Sequence, residues 1–316
     1  MMMCLTAAAD DDGRRLDRVL RKALPGLPLQ ALYRLFRKGK ILVDHIEAGP
    51  GKRIKAGQII ELPRTCTPDP QPPGKTHPPS APPAGLKVLY EGEGLLFINK
   101  ASGLAVHGPD SLEEQVQSYL KDKTAPSLSF RSGPLHRLDK PTSGLIVFST
   151  NLEGARHFSR LIRERKVRKL YLALVDGTLL KSQIWEDELI RDKKLQKTIV
   201  VPKGEISGDA KTGRTLVSPL ASAKGHSLIL AEIESGRTHQ IRAQAAEKGH
   251  PLSGDKKYGG KALPGKTLRG GGFFLHAWKL EAEGRRIEAP LPENFLAAIT
   301  EFFGKEFEGK FQGNAE

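Results

Sequence analysis

Four ionisable side chains, His136, Arg137, Asp139 and Lys140, stand within five residues of the segment HRLDKPTSGLIVFS, just ahead of a strand-like apolar run. A turn leading into a strand needs one Asp or Gly, so this much charge at the lip of a buried strand asks for another use. Asp139 is the member suited to bond-making chemistry. A carboxylic acid with an ordinary pKa of about 3.9 is ionised at neutral pH and can act as a nucleophile or a base. Such a group gains from an adjacent cation that keeps it ionised and aimed. Candidate companions lie farther along: Tyr171 in KLYLALVDG, and Arg237, His239 and Arg242 in ESGRTHQIRAQAAEKGHPLSGDKKYG. No Ser-His-Asp arrangement can be argued from these residues. A metal site built from His136, His239 and Asp139 lacks any local ligand spacing, and the chain has no HExxH, CxxC or GxGxxG pattern.

The elements that must position these residues follow from periodicity. KVLYE and GLLFINK read as two strands split by a Gly-containing turn. LEEQVQSYLKD reads as a helix capped by Ser111, and NLEGARHFSRLIRERKV as a helix capped by Asn151. GLIVFST, KLYLALVDG, SLILAEIES and FFLHAWKLEA read as strands, and THQIRAQAAEKG as a helix. Helices and strands alternate irregularly, with neighbouring strands close enough to pair as hairpins. This predicts an α+β domain on a mixed, mostly antiparallel central sheet flanked by helices.

The chain carries 50 Lys and Arg against 36 Asp and Glu, a formal net charge of +14 over 316 residues. A polyanion is the natural partner, nucleic acid before membrane. No long apolar segment or export-signal pattern is present, and the only cysteines are Cys4 and Cys66. A reducing cytoplasm is the expected location. Residues 1–12 are expected as a disordered tail, residues 13–63 as a small domain, residues 64–84 as a Pro-rich extended linker, residues 85–307 as the large domain and residues 308–316 as a second tail. In the small domain Leu16, Val19, Leu20 and Leu24 share one helical face, with Arg14, Arg18, Arg21 and Lys22 opposite. A second helix after Pro28 turns Leu29, Leu32, Leu35 and Phe36 inward and carries Arg34, Arg37 and Lys38. Short strands at 41–44 and 58–62 close the unit. Two consecutive short helices with so little acid to balance their cations favour contact with nucleic acid.

Two resemblances sharpen this reading. RLDRVLRKALPGLPLQALYRLFRKGKILVD, closed by KRIKAGQIIELP, resembles the S-four-type RNA-binding domain, a small α+β module. The large piece resembles the catalytic domain of the RluA family of RNA pseudouridine synthases. HRLDKPTSGLIVFS is that family's signature, and VLYEGEGLLFINKASGLAVHG, KLYLALVDG, GRTHQIR with GHPLSGDKKYG, and FFLHAWKLE follow in family order. The resemblance implies isomerisation of specific uridines, in large-subunit ribosomal RNA given the N-terminal domain. A transfer-RNA synthase of the same family and a non-catalytic RNA-binding assembly factor are the alternatives. It implies Asp139 as the catalytic residue, Arg242 as its partner and Tyr171 as the aromatic floor on which the flipped base stacks. Arg137, Leu275, Arg237 and His239 become substrate contacts, and Arg18, Arg34, Arg37 and Lys38 RNA contacts. No cofactor and no metal are expected, and the protein is expected to be a monomer. Two positions depart from the family pattern: Ala101 where Pro is usual, and Gln244 where His is usual.

Overall fold

The computed structural model describes residues 2–64, 86–121, 123, 127–202, 208–263, 272–309 and 311. The Pro-rich segment and Cys66 lie almost wholly outside them. The small domain has its own core, with Leu16, Val19, Leu20, Leu32, Ile41, Val43, Ile54, Ile60 and Leu62 buried together. Helices α1 (Leu16–Ala23) and α2 (Leu29–Arg37) pack on a four-stranded sheet. Its strands are β1 (Met2–Thr6), β2 (Leu42–Val43), β3 (Ile46–Glu47) and β4 (Ile59–Pro63), in the order β1-β4-β2-β3.

Three expectations are corrected here. The expected disordered tail instead supplies β1, paired antiparallel with β4 from Met2–Pro63 to Thr6–Ile59, and Cys4 sits in that strand. The expected strand at 41–44 shortens because Asp44 and His45 adopt φ of 53° and 66°, forming a tight hairpin turn to β3. Leu29, expected inward, is 48% exposed because it opens the first turn of α2, beyond the reach of the core.

The large domain is built on ten strands: β5 (Val88–Gly92), β6 (Leu95–Lys100), β7 (Ser143–Ser149), β8 (Val167–Asp176), β9 (Gln183–Asp192), β10 (Lys197–Val201), β11 (Lys211–Ala223), β12 (His226–Ile233), β13 (Leu275–Ala282) and β14 (Arg285–Glu288). The path is β10-β9-β11-β12-β8-β13-β7-β6-β5, with β14 on β13. Among the described residues every strand pairing of this sheet is antiparallel except that of β13 with β7. This is the mixed α+β sheet that the sequence pattern predicts.

Side-chain alternation on β8 divides the core between the two faces. Tyr171, Ala173 and Val175 join the cluster that also holds Phe148, Phe158, Ile241 and Ala245, whereas Leu172 and Leu174 pack with Phe295, Ile299 and Phe302. The first face receives α3 (Leu112–Leu120), α4 (Leu152–Arg163) and α5 (Gln240–Glu247). The second receives α6 (Glu293–Phe303). Ser111 Oγ and Asn151 Oδ1 accept from the backbone N–H of Glu114 and Gly154, the two caps the sequence predicts. Of the expected C-terminal tail, residues 308, 309 and 311 are described, and there Phe311 meets Trp278 edge-on and Phe307 at a tilt, beyond the short α7 (Lys305–Glu308).

Candidate active site

Asp139 sits on the turn into β7, and the N–H of Thr142 donates to its carbonyl at 3.0 Å. The turn is therefore Asp139–Thr142. Ser143 and Gly144 already belong to the strand. Gly144 is required there: its φ is +106°, and an added Cβ would lie 2.2 Å from the carbonyl oxygen of Ala277 on β13. That close approach is the one parallel step of the sheet among the described residues, and it sets the Asp139 turn beside β13.

The fully buried Lys100 anchors the same turn from β6. Its Nζ donates to the carbonyls of Ala101, Leu104 and Lys140 at 2.9, 2.8 and 3.1 Å. Burial pulls its pKa down to about 8, against the opposing pull of Asp139. His136 is a structural member of the loop. Its Nε2 accepts from the N–H of Val147 at 3.1 Å, and burial takes its pKa to about 4, so the ring is neutral.

Across the cleft, α5 is buried almost all round and presents Arg242. Arg242 Nη1 donates to Asp139 Oδ2 at 2.9 Å, while Nε and Nη2 donate to the two oxygens of Asp255 at 2.7 and 3.0 Å. The guanidinium lies 4.3 Å from the Phe273 ring centroid and 4.9 Å from that of Tyr258. Burial works against its charge, but the bonds and charges of Asp255 and Asp139 outweigh this and raise its pKa above the ordinary value. Asp255 fixes the fork of Arg242 in a bidentate grip, and the remaining nitrogen aims at Asp139. Sequence reasoning missed Asp255 and Phe273. An Asp before two lysines reads as a solvated turn, and only its place in a recognised segment marks it.

His239 precedes α5 in a left-handed conformation, φ 53°. Its Nε2 stands 3.7 Å from Asp139 Oδ2, and its Nδ1 is 2.9 Å from the hydroxyl of Tyr258. Burial, the dominant cause, lowers its pKa to about 4, so it faces Asp139 as a neutral imidazole.

Tyr171 lies between Ala231 of β12 and Ala277 of β13 in the sheet register, two small neighbours that leave its ring room. Burial and then the charge of Asp139 push its pKa well above the ordinary value, so the phenol stays protonated. Arg137, Asp139, Tyr171, Arg237, His239, Arg242 and Leu275 all line one cleft, with Thr142, Ile233 and Ile241 beside them. Arg137 is exposed, and among the described residues it makes no ion pair. Arg237 Nε donates to the Thr212 carbonyl at 3.3 Å.

Arg18 belongs to a separate cleft described below, whereas Arg34, Arg37 and Lys38 are exposed and line neither. Among the described residues no group of three His, Cys, Asp or Glu side chains could hold a metal ion. The departure at Gln244 has a packing role. Its Oε1 accepts from Thr215 Oγ1 at 2.7 Å, and its Nε2 faces the Trp185 and Gly213 carbonyls and Asp187 Oδ2 at 2.8–3.0 Å.

The pattern of the RNA pseudouridylate synthase family matches residues 94–247. The chain is 31% identical to the ribosomal large subunit pseudouridine synthase C of Pasteurella multocida, over 94% of each chain. It is 30% identical to the Escherichia coli K12 protein of the same name, over 92% of this chain and 93% of that one. The solved structure of human RNA pseudouridylate synthase domain containing 4 superposes with a TM-score of 0.55 at 24% identity, over 67% of this chain and 91% of that one, a likeness of fold.

Proposed function

The chain belongs to the RNA pseudouridylate synthase family, and we propose that it isomerises specific uridines of large-subunit ribosomal RNA with Asp139 as its catalytic group. The observation that carries the site assignment is the Asp139 carboxylate gripped by Arg242 at the mouth of a cleft walled by Tyr171 and Leu275. The reaction breaks the bond between N1 of uracil and C1′ of ribose. The base turns, C5 bonds to C1′, the C5 proton leaves and N1 gains one. No electron or phosphoryl group is exchanged.

Asp139 acts at the sugar, either by attack on C1′ or by taking a ribose proton. Arg242 directs the carboxylate through their hydrogen bond, and Asp255 holds Arg242. The target base must leave its stack, at a cost of a few kcal/mol. Tyr171 offsets part of that cost by stacking, and Leu275 keeps water from the detached base. Arg137, exposed at the rim, fills the space the base leaves or holds a phosphate. The N-terminal domain, with its S-four-type pattern, supplies sequence-independent backbone contacts. A cytoplasmic monomer without cofactor or metal goes with this reading.

The test is pseudouridine mapping in ribosomal and transfer RNA from cells with and without the protein, beside purified wild type and Asp139→Asn. The expected result is loss of ribosomal pseudouridines in the deletion, and an Asn variant that binds RNA with near-wild-type affinity yet forms none. Loss confined to transfer RNA refutes the substrate assignment, and wild-type turnover by Asp139→Asn refutes the mechanism.

A further inference from the structure

The two domains are joined by a buried hydrogen-bonded latch. Asp11 of the small domain is fully buried. Its carboxylate accepts from the N–H groups of Leu128 and Ser129 and from Ser127 Oγ, each at 3.0 Å, and from Ser129 Oγ. Arg14 Nη1 donates back to the Ser129 carbonyl and hydroxyl at 3.1 and 2.7 Å. Asp10 Oδ1 accepts from the N–H of Leu152 at the start of α4, 2.9 Å away. Leu128 packs against the core of the small domain. The small domain is therefore docked on the large one, not merely tethered to it.

Two residues past Ser129 stands Arg131. It lines a cleft whose other walls are Arg14, Arg18, Arg21, Lys22 and Pro25, all from the small domain. Five cations converge there without an acidic residue, and four of them are arginines, whose planar forks suit phosphate oxygens. Among the described residues Arg18, Arg21, Lys22 and Arg131 make no ion pair and no side-chain hydrogen bond. Their charges are unspent.

We propose that this interdomain cleft is a composite binding groove for the RNA phosphate backbone, completed by Arg131 of the catalytic domain and assembled by the Asp11 latch. The proposal rests on RNA being the substrate, as argued above. Neither domain alone holds the full set of cations. RNA in the groove touches both, so the small domain fixes the register of the RNA on the catalytic domain as well as adding affinity.

The latch permits a discriminating test, because a long-range charge effect and a positional effect of Asp11 have opposite signs. The full-length protein is titrated with a synthetic RNA hairpin over a series of salt concentrations. Arg131→Gln should lower the slope of log affinity against log salt by about one. Asp11→Asn removes a negative charge, which by itself tightens RNA binding. If the latch assembles the groove, affinity instead falls about tenfold, the worth of roughly one charge-assisted contact.

Adding Arg131→Gln to Asp11→Asn should then cost nothing further. Ser127→Ala with Ser129→Ala removes the two hydroxyl donors of the latch from the catalytic side, keeps the N–H bonds of Leu128 and Ser129, leaves the small domain untouched, and should give a smaller loss of the same sign even if Asp11→Asn folds poorly. Tighter or unchanged binding after the latch is cut, or an Arg131 effect of equal size with and without the latch, overturns the proposal. Turnover is scored separately. Wild-type protein that forms no pseudouridine in ribosomal RNA refutes the substrate reading, whereas latch-independent binding refutes the groove.

Discussion

Asp255→Asn tests whether the Asp139–Arg242 pair works only because a second carboxylate stands behind it. Asp255 is 2% exposed and takes two hydrogen bonds from Arg242 at 2.7 and 3.0 Å. An Asn of the same shape can accept one of them, but its amide NH₂ then faces a guanidinium N–H, donor against donor. Breaking a buried ion pair from one side typically costs about 3–5 kcal/mol. Arg242 keeps Asp139 and two aromatic faces, so the expected loss is at the lower end, about 3 kcal/mol. At about 2–4 °C per kcal/mol, the melting temperature falls roughly 6–12 °C. The functional effect is of similar size. Arg242 is released to tilt toward Asp139, and misplacement of a reacting group by about 1 Å costs on the order of 100-fold in turnover. The assay is single-turnover pseudouridine formation below the melting transition, with RNA affinity measured in parallel. The observed rate should fall about 100-fold at saturating RNA with affinity nearly unchanged. A variant that is destabilised as expected but turns over at the wild-type rate refutes the idea that Asp255 positions the site.

Tyr171→Phe should retain RNA affinity, whereas Tyr171→Ala should lose about 1–3 kcal/mol of base stacking and its turnover with it; equal, near-wild-type rates in the two remove Tyr171 from the site. Gln244→Leu should destabilise the protein by about 2–4 kcal/mol, because buried acceptors on β9 and β11 lose their donor, while turnover per folded molecule stays near wild type in thermal melts paired with rate measurements. The joint between the domains should respond to acid. Burial alone would raise the pKa of Asp11, but hydrogen bonds from Ser129, Ala8, Leu128 and Ser127 outweigh it and hold the group below its ordinary 3.8. Stability from a depressed carboxyl is present above its unfolded-state pKa and lost as pH falls through the folded one. The melting-temperature gap between wild type and Asp11→Asn should therefore be constant at neutral pH and close below pH 3.8; a gap independent of pH down to acid unfolding contradicts the assignment.

The candidate site was legible in the sequence to the extent that its members sit in dense local motifs. Asp139 stood out by the charge crowded into its own motif, whereas Arg242 and Tyr171 took their expected roles only from the family resemblance. Asp255 could not be named, since its importance comes from a bidentate contact with a residue on another element. The central strands announced themselves by long apolar runs. β9 did not: QIWEDELIRD carries four acids and buries only Trp185 and Leu189, too little alternation to outvote its charge. β1 is five residues long and edge-paired, and composition alone cannot tell such a strand from a tail. Long-range pairing, to which local patterning is blind, decided both.

The contact between Asp139 and Arg242 spans 103 positions of sequence, and Gly144 meets Ala277 across 133. The core of the small domain lies within the first 62 residues. Non-local strand pairing is slow to form, and N-terminal units fold first during synthesis. A growing chain should thus acquire its basic helices while the residues of β13 are still unmade. With the RNA-binding role proposed for those helices, the molecule grips RNA before it can alter it, and the parallel step at Gly144 is the closure that ends that interval.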